Sequence, residues 1–345
     1  MMKLSRMFLV GFDGCTLKQG HWLRRALAGT PPAGVILFDR NIDGRVQNFS
    51  SATQLKELTT ELATLTTGPL LIAVDQEGGR VCRLKERDGF AGTETAAELG
   101  QQSPEVSTLP AAEAMAAALA GYGINLNLAP VVDVNLNLDN PIIARYERSF
   151  GVIPETVAAH CQAFLQGHHN NGVACCLKHF PGHGSASGDS HLGFVDISKD
   201  WQEKELEPYK ILLASCRVDA IMTAHVVHYG LDPSGLPATL SPVMINTMLR
   251  HDLGFTGVII TDDLQMKAIS SRYGYKEAVQ HAVLAGTDLL IVGNNLERDP
   301  DALEQGIAAI QELLDQGRVS EERIQESLRR IDLLLQFCTR RELFK

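Results

Sequence analysis

Eight short apolar runs, each closing on a polar or glycine residue and each separated from the next by enough chain for a helix, constrain this sequence most. They are residues 7–12, 34–38, 70–75, 124–128, 174–179, 220–225, 258–262 and 288–293. Runs this short and this apolar suit strands buried on both faces, as in a parallel sheet covered by its crossover helices. Eight such units in about 300 residues predict an α/β fold of TIM type, a closed (β/α)8 barrel. The helical stretches agree: residues 110–121 are Ala-rich, begin at Pro110 and stop at Gly121. Leu303, Ile307, Ile310 and Leu314 recur at helical spacing before Gly317, and Ser320 caps a last helix striped by Ile324, Leu328, Ile331 and Leu335. The competing architecture is an open doubly wound sheet, but no G-x-G-x-x-G follows an early strand, and Gly11-Phe12-Asp13-Gly14 has the wrong spacing. With no internal repeat or linker-like shift, residues 1–345 are expected to form a single catalytic domain with C-terminal helices.

Composition narrows the functional class. Apolar residues at 45% and charged residues at 21% fit a soluble globular chain, and no stretch reaches the ~18 apolar residues of a membrane span. Lys and Arg number 31 against 41 Asp and Glu, a net charge of −10, which argues against nucleic-acid and membrane partners. An anionic ligand would need a local basic pocket. Seven scattered cysteines without a C-x-x-C pair signal neither a disulfide framework nor a thiolate zinc site. The apolar stretch 7–10 is cut short at Gly11 and Asp13, too soon for a secretory signal, so a cytoplasmic location is expected.

In a barrel the active site gathers at the C-terminal ends of the strands, so the residue closing each run is where chemistry is sought. Those positions hold Asp75, Lys178-His179, His225, Asp262-Asp263 and, nearby, Asn294; Asp133 follows the fourth run, with Arg145 and Arg148 in the next turn. Segment 178–191 carries Pro181 and several glycines together with Lys178, His179, His183, Asp189 and His191, a load more often functional than idle in a loop. Asp189 lies two residues before His191, close enough to orient the imidazole as a proton-transfer dyad. The plainer reading makes Asp189 a turn cap and His191 a surface residue. Alternation sets Asp262 on the side of Val258 and Ile260 and Asp263 on the other, so one faces a pocket while the other caps a helix or turn.

Four segments then come together: Ala-Val-Asp-Gln-Glu-Gly-Gly-Arg-Val-Cys-Arg at 73–83, Lys-His-Phe-Pro-Gly-His-Gly at 178–184, Asp-Ser-His at 189–191 and Gly-Phe-Thr-Gly-Val-Ile-Ile-Thr-Asp-Asp-Leu at 254–264. In this order they resemble glycoside hydrolase family 3, more narrowly its single-domain bacterial β-N-acetylglucosaminidases of cell-wall recycling. The resemblance runs from about residue 7 to about 295 and implies a TIM-type barrel. It also implies a retaining, exo-acting hydrolase in which Asp262 attacks the anomeric carbon, His191 is the general acid/base and Asp189 orients it. Two-domain relatives are understood to take an acidic residue from a second domain, so here the proton donor would come from the barrel's own loops. Asp75, Arg83, Arg148, Lys178 and His179 would hold the sugar. No metal or cofactor is implied, and the partner would be a small carbohydrate: N-acetylglucosamine-containing glycans or muropeptides. The turn at 140–150 is two residues longer than the family usually has, leaving Arg145 as an alternative to Arg148, which is preferred because Ser149-Phe150-Gly151 follows it.

Other readings stay beside this one. A phosphorolytic relative would resolve the same glycosyl-enzyme with phosphate. A metal-dependent barrel hydrolase would use His179, His183, His191 and Asp189, with His225 across the mouth. A non-enzymatic sugar-binding barrel would leave Asp189, His191 and Asp262 without a task. Glu77 and Arg80 are expected to pair and brace the loop after the third strand, His183 to line the pocket or close the turn, and His225 to lie on or beneath the pocket floor. The loop 181–193 is expected to swing on Gly182, Gly184 and Gly188. Trp22 and Trp201 fall outside the motifs, so no sugar-stacking platform is assigned.

Overall fold

The computed structural model describes residues 2–66, 68–190 and 193–339. Its barrel strands are β1 (Phe8–Val10), β2 (Gly34–Ile36), β3 (Leu71–Val74), β4 (Leu126–Asn127), β5 (Ala174–Phe180), β6 (Ala220–Thr223), β7 (Val258–Thr261) and β8 (Leu290–Val292), and a separate two-stranded sheet pairs Val195–Asp196 with Val226–Val227. Each barrel strand falls inside or overlaps one of the eight apolar runs. Every neighbouring pair is parallel, the order is sequential with β8 beside β1, and β7 meets β8 through a parallel bridge at Ile260 and Leu289. Thr261 N donates to Leu289 O at 3.0 Å, so the ring closes as a barrel and the open-sheet alternative falls.

The crossovers are helical: α1 (Trp22–Gly29), α2 (Ala52–Leu65), α3 (Thr108–Gly121), α4 (Pro154–Asn170), α5 (Glu207–Ser215), the π-helical α6 (Val243–Asp252), α7 (Tyr275–Ala285) and α8 (Ala302–Asp315), followed by α9 (Glu321–Thr339). The Ala-rich helix starts two residues ahead of Pro110, and Ser320 Oγ accepts from Arg323 N at 3.2 Å as the cap of α9.

Strand alternation builds two cores. Outward residues such as Phe8, Val10, Ile72 and Ile259 pack under the helices, while Leu9, Leu71, Ala73, Ala174, Cys176, Val258 and Ile260 fill the barrel. The inner core also contains Ile331, Leu334 and Leu335 of α9, so the last helix seals the N-terminal end. Asp288, buried just before β8, fastens it there: Ser327 Oγ and Arg330 Nη1 donate to it at 2.6 and 3.2 Å, and Arg250 pairs with it from α6. With that end closed, the barrel opens only where the strands finish.

Candidate active site

The inward phase of three strands continues into polar side chains at that open end. Leu71 and Ala73 lead to Asp75, Ala174 and Cys176 to Lys178, and Val258 and Ile260 to Asp262. All three line one cavity of about 420 Å³ together with Arg83, Arg148, His179 and Asp189. Its floor is apolar, made by Ile36, Leu128, Met222 and Ile291. Lys178 and His179 both reach the cavity although they are chain neighbours; the peptide bond between them is cis. His191, the expected proton donor, lies outside the described residues.

A ladder of alternating charge forms one wall. Lys178 Nζ reaches Asp75 Oδ1 at 2.9 Å and Glu77 Oε1 at 2.6 Å, while Arg83 Nη2 donates to Asp75 Oδ2 at 2.8 Å. Arg148 grips Glu77 with Nε and Nη2 at 2.7 and 2.8 Å, the two-pronged geometry that fixes a guanidinium in place. Burial by itself would raise the Asp75 and Glu77 pKa values. Lys178 and Arg83 overcome this for Asp75, and Arg148 and Lys178 bring Glu77 down to about 2. The same pairing overrides the burial penalty on Lys178 and raises its pKa. These groups therefore stay charged at neutral pH, as strong donors and acceptors for sugar hydroxyls.

Behind the ladder stands Asp133. Its Oδ2 accepts from His179 Nδ1 at 2.7 Å and its Oδ1 from the His179 and His183 backbone N–H groups at 3.2 and 2.9 Å. Arg148 Nη2 meets the other ring nitrogen of His179 at 3.3 Å, so the imidazole is held from both sides. His183 lies behind His179 rather than in the cavity wall, and burial pushes its pKa down to about 4 against the opposing Asp133 charge. His225 bonds Thr239 Oγ1 and Asp263 O, both at 2.9 Å, and is not part of the cavity lining.

Asp262 and Asp263 both line the cavity, so alternation does not keep the second one out of it. Asp263 Oδ1 accepts backbone N–H groups of Gln265 and Gly293 at 3.0 and 3.1 Å, tying the end of β7 to the end of β8. Burial raises its pKa to about 7, with the Asp262 and Asp75 charges adding to the rise and the two N–H bonds opposing it.

One expectation is overturned. Glu77 does not pair with Arg80: its oxygens are taken by Arg148 and Lys178, and Arg80 packs on the Tyr146 ring, 4.5 Å from guanidinium carbon to ring centre. Gly182 and Gly184, two of the expected pivots, are tightly packed in this conformation. A Cβ on Gly182 would lie 2.5 Å from the Glu205 carboxyl, and one on Gly184 only 1.8 Å from Val134 O. Gly184 N donates to Glu205 Oε2 at 2.8 Å, Ser185 Oγ bonds the other Glu205 oxygen, and Asn140 Nδ2 donates to His183 O at 2.8 Å. The first half of the loop is therefore clamped, and Gly188 is the remaining candidate pivot.

Arg148 sits in the cavity wall and Arg145 is exposed outside it. The sequence carried no sign of Glu205, whose partners lie 20 and 21 residues away, and it showed Asp133 only as a polar residue after the fourth strand. Among the described residues no group of three or more His, Cys, Asp or Glu side chains is arranged to hold a metal ion.

A model of the glycosyl hydrolase family 3 N terminal domain matches residues 2–334. The chain belongs to glycosyl hydrolase family 3. This family 3 glycoside hydrolase is 38% identical over 293 residues to the beta-hexosaminidase of Tolumonas auensis, covering 83% of this chain and 82% of that one. Its fold is similar to the family 3 beta-N-acetylglucosaminidase from Paenibacillus, with a TM-score of 0.87, 34% identity and 97% of this chain covered. It spans 62% of the Paenibacillus chain. It also resembles the beta-N-acetylhexosaminidase from Beutenbergia cavernae, with a TM-score of 0.85, 28% identity and 97% of each chain covered.

Proposed function

We propose that this family 3 enzyme removes terminal β-linked N-acetylglucosamine from glycans, with retention of configuration, and that one barrel supplies the whole chemistry. The observation that carries the reading is convergence on one mouth: Asp262 faces the same cavity as Asp75, Lys178 and Arg83, which is sized for one sugar and its linkage. In the first step an Asp262 oxygen bonds to C1 while the C1–leaving-oxygen bond breaks and His191 gives that oxygen its proton. In the second, His191 takes a proton from water as the water oxygen attacks C1 and frees Asp262. Asp189, in the cavity wall, orients and charges His191. Asp75, Arg83, Arg148, Lys178 and His179 hold the sugar hydroxyls, and the apolar floor takes its C–H face.

The names of the relatives support the amido sugar, and cell-wall muropeptides are the finer substrate reading. A cytoplasmic setting accords with seven cysteines that are all free thiols. Among the described residues no helix is long and apolar enough to cross a membrane.

Mass spectrometry after incubation with a slow 5-fluoro N-acetylglucosaminyl fluoride, followed by peptide mapping, tests the reading directly. An adduct on Asp262, with turnover of Asp262→Asn reduced by about 10⁴-fold or more, is the expected result. An adduct mapping to any other residue overturns it.

A further inference from the structure

His225 follows β6 by two residues, at the open end of the barrel, yet it does not line the cavity. A buried imidazole is costly unless its ring nitrogens find partners. Here both do. Nε2 lies 2.9 Å from Asp263 O, and Nδ1 lies 2.9 Å from Thr239 Oγ1. A carbonyl oxygen can only accept, so Nε2 carries a hydrogen and donates it to Asp263. Thr239 is itself fully buried and fixed by the chain that follows β6. Its Oγ1 lies 3.1 Å from Thr223 O and 2.9 Å from Ala224 O, and its N–H donates to Ala224 O at 3.2 Å. The ring is therefore held in one orientation.

The bond to Asp263 reaches the nucleophile through a single residue. Asp263 N donates to Asp262 Oδ1 at 2.8 Å, so the direction of that N–H sets where the Asp262 carboxylate sits. Asp263 in turn is gripped from two neighbouring strands: His225 holds its carbonyl from the end of β6, and Gly293 N holds its carboxyl from the end of β8. The main chain ahead of it is held from β6 as well, because Asp262 N donates to Thr223 O at 3.2 Å. The end of β6 thus fastens the backbone on both sides of Asp262, with Thr223 O before it and His225 after it. The first is an ordinary barrel contact. The second needs a side chain that carries a donor across, and a planar ring does so with only two torsions to fix.

We propose that His225 is a positioning residue for the nucleophile: by holding the Asp263 carbonyl it keeps the Asp263 N–H aimed at Asp262 Oδ1 and the carboxylate directed at C1. The inference rests on the hydrolytic reading above, with Asp262 as the attacker, and goes beyond it. His225 then acts on the rate of attack and not on the grip on the sugar, which Asp75, Arg83 and Lys178 supply from the cavity wall.

The test follows the labelling of Asp262 by 5-fluoro N-acetylglucosaminyl fluoride with intact-mass spectrometry. At saturating reagent the first-order rate constant does not depend on the fraction of folded enzyme, and inhibition by N-acetylglucosamine reports binding separately. His225→Asn keeps a polar group near Thr239 but does not reach Asp263. It should slow labelling by about 100-fold, with the inhibition constant within about threefold of the wild type. His225→Gln carries an amide N–H to the place of Nε2 and should recover most of the rate. Thr239→Val, which removes the second anchor of the ring, should slow labelling, whereas Thr239→Ser should not. Labelling of His225→Asn at the wild-type rate, equal rates for the two His225 variants, or an inhibition constant that rises in step with the lost rate overturns the inference. If His225→Asn does not fold, equal rates for the two Thr239 variants overturn it. A wild-type label on a residue other than Asp262 removes the hydrolytic reading and this inference with it.

Discussion

Two glutamates close to the mouth show how the partner decides the state of a buried acid. Glu77 has two cations on it and is brought down to about 2; Glu205, fully buried, has the Gly184 and Ser185 N–H groups and the Ser185 hydroxyl but no cation, and its pKa rises to about 8. Burial drives the Glu205 shift, the nearby Asp133 charge adds to it, and the donated hydrogen bonds only reduce it. An acid whose folded pKa lies above its unfolded value, ~4.3, favours the fold most when both states are protonated, and that contribution declines as pH rises from about 4.3 toward 8. Glu205→Gln removes the titration and keeps an acceptor for Gly184. Its thermal midpoint should therefore gain on the wild type between pH 5 and pH 9, measured as the difference between the two melting curves. A constant difference across that range would show that Glu205 does not titrate there. Asp263, raised to about 7 without a cation, follows the same logic.

The loop after β5 shows why element-level reading of sequence stops short. Its proline and glycines rightly exclude a helix, and the strand before it runs on to Phe180. Composition alone, however, reads glycine as freedom. At Gly184 the reason for glycine is contact: the backbone passes so close to Val134 O that any side chain collides. Gly184→Ala should displace the segment leading to Asp189 and lower kcat/KM by about 100-fold, because small misplacements of catalytic groups are that costly. Steady-state kinetics beside Gly188→Ala gives the contrast, since the nearest atoms to a Cβ at Gly188 belong to the Val195 side chain, at 3.1–3.7 Å. Equal effects of the two substitutions would refute the clamp.

At the scale of the whole molecule, stability and chemistry occupy opposite ends of the barrel. The α9 plug contributes to the inner core through Ile331, which is completely buried. Ile331→Ala should cost about 2–5 kcal/mol in urea unfolding through lost transfer energy and a cavity, with KM for N-acetylglucosaminides unchanged. A matching rise in KM would show that the two ends are coupled. The sequence by itself determined the eight inward and outward alternations, hence the barrel and the three polar residues Asp75, Lys178 and Asp262 that extend its interior rows, because period and burial are local properties of a strand. It also carried the motifs that mark the family. Tertiary structure alone decided which charges pair: that Arg148 rather than Arg80 takes Glu77, that Asp133 steadies His179, and that Glu205 clamps a loop 20 residues before it. Such pairings are set by distances across the mouth between chain segments far apart in sequence, and no periodicity encodes them.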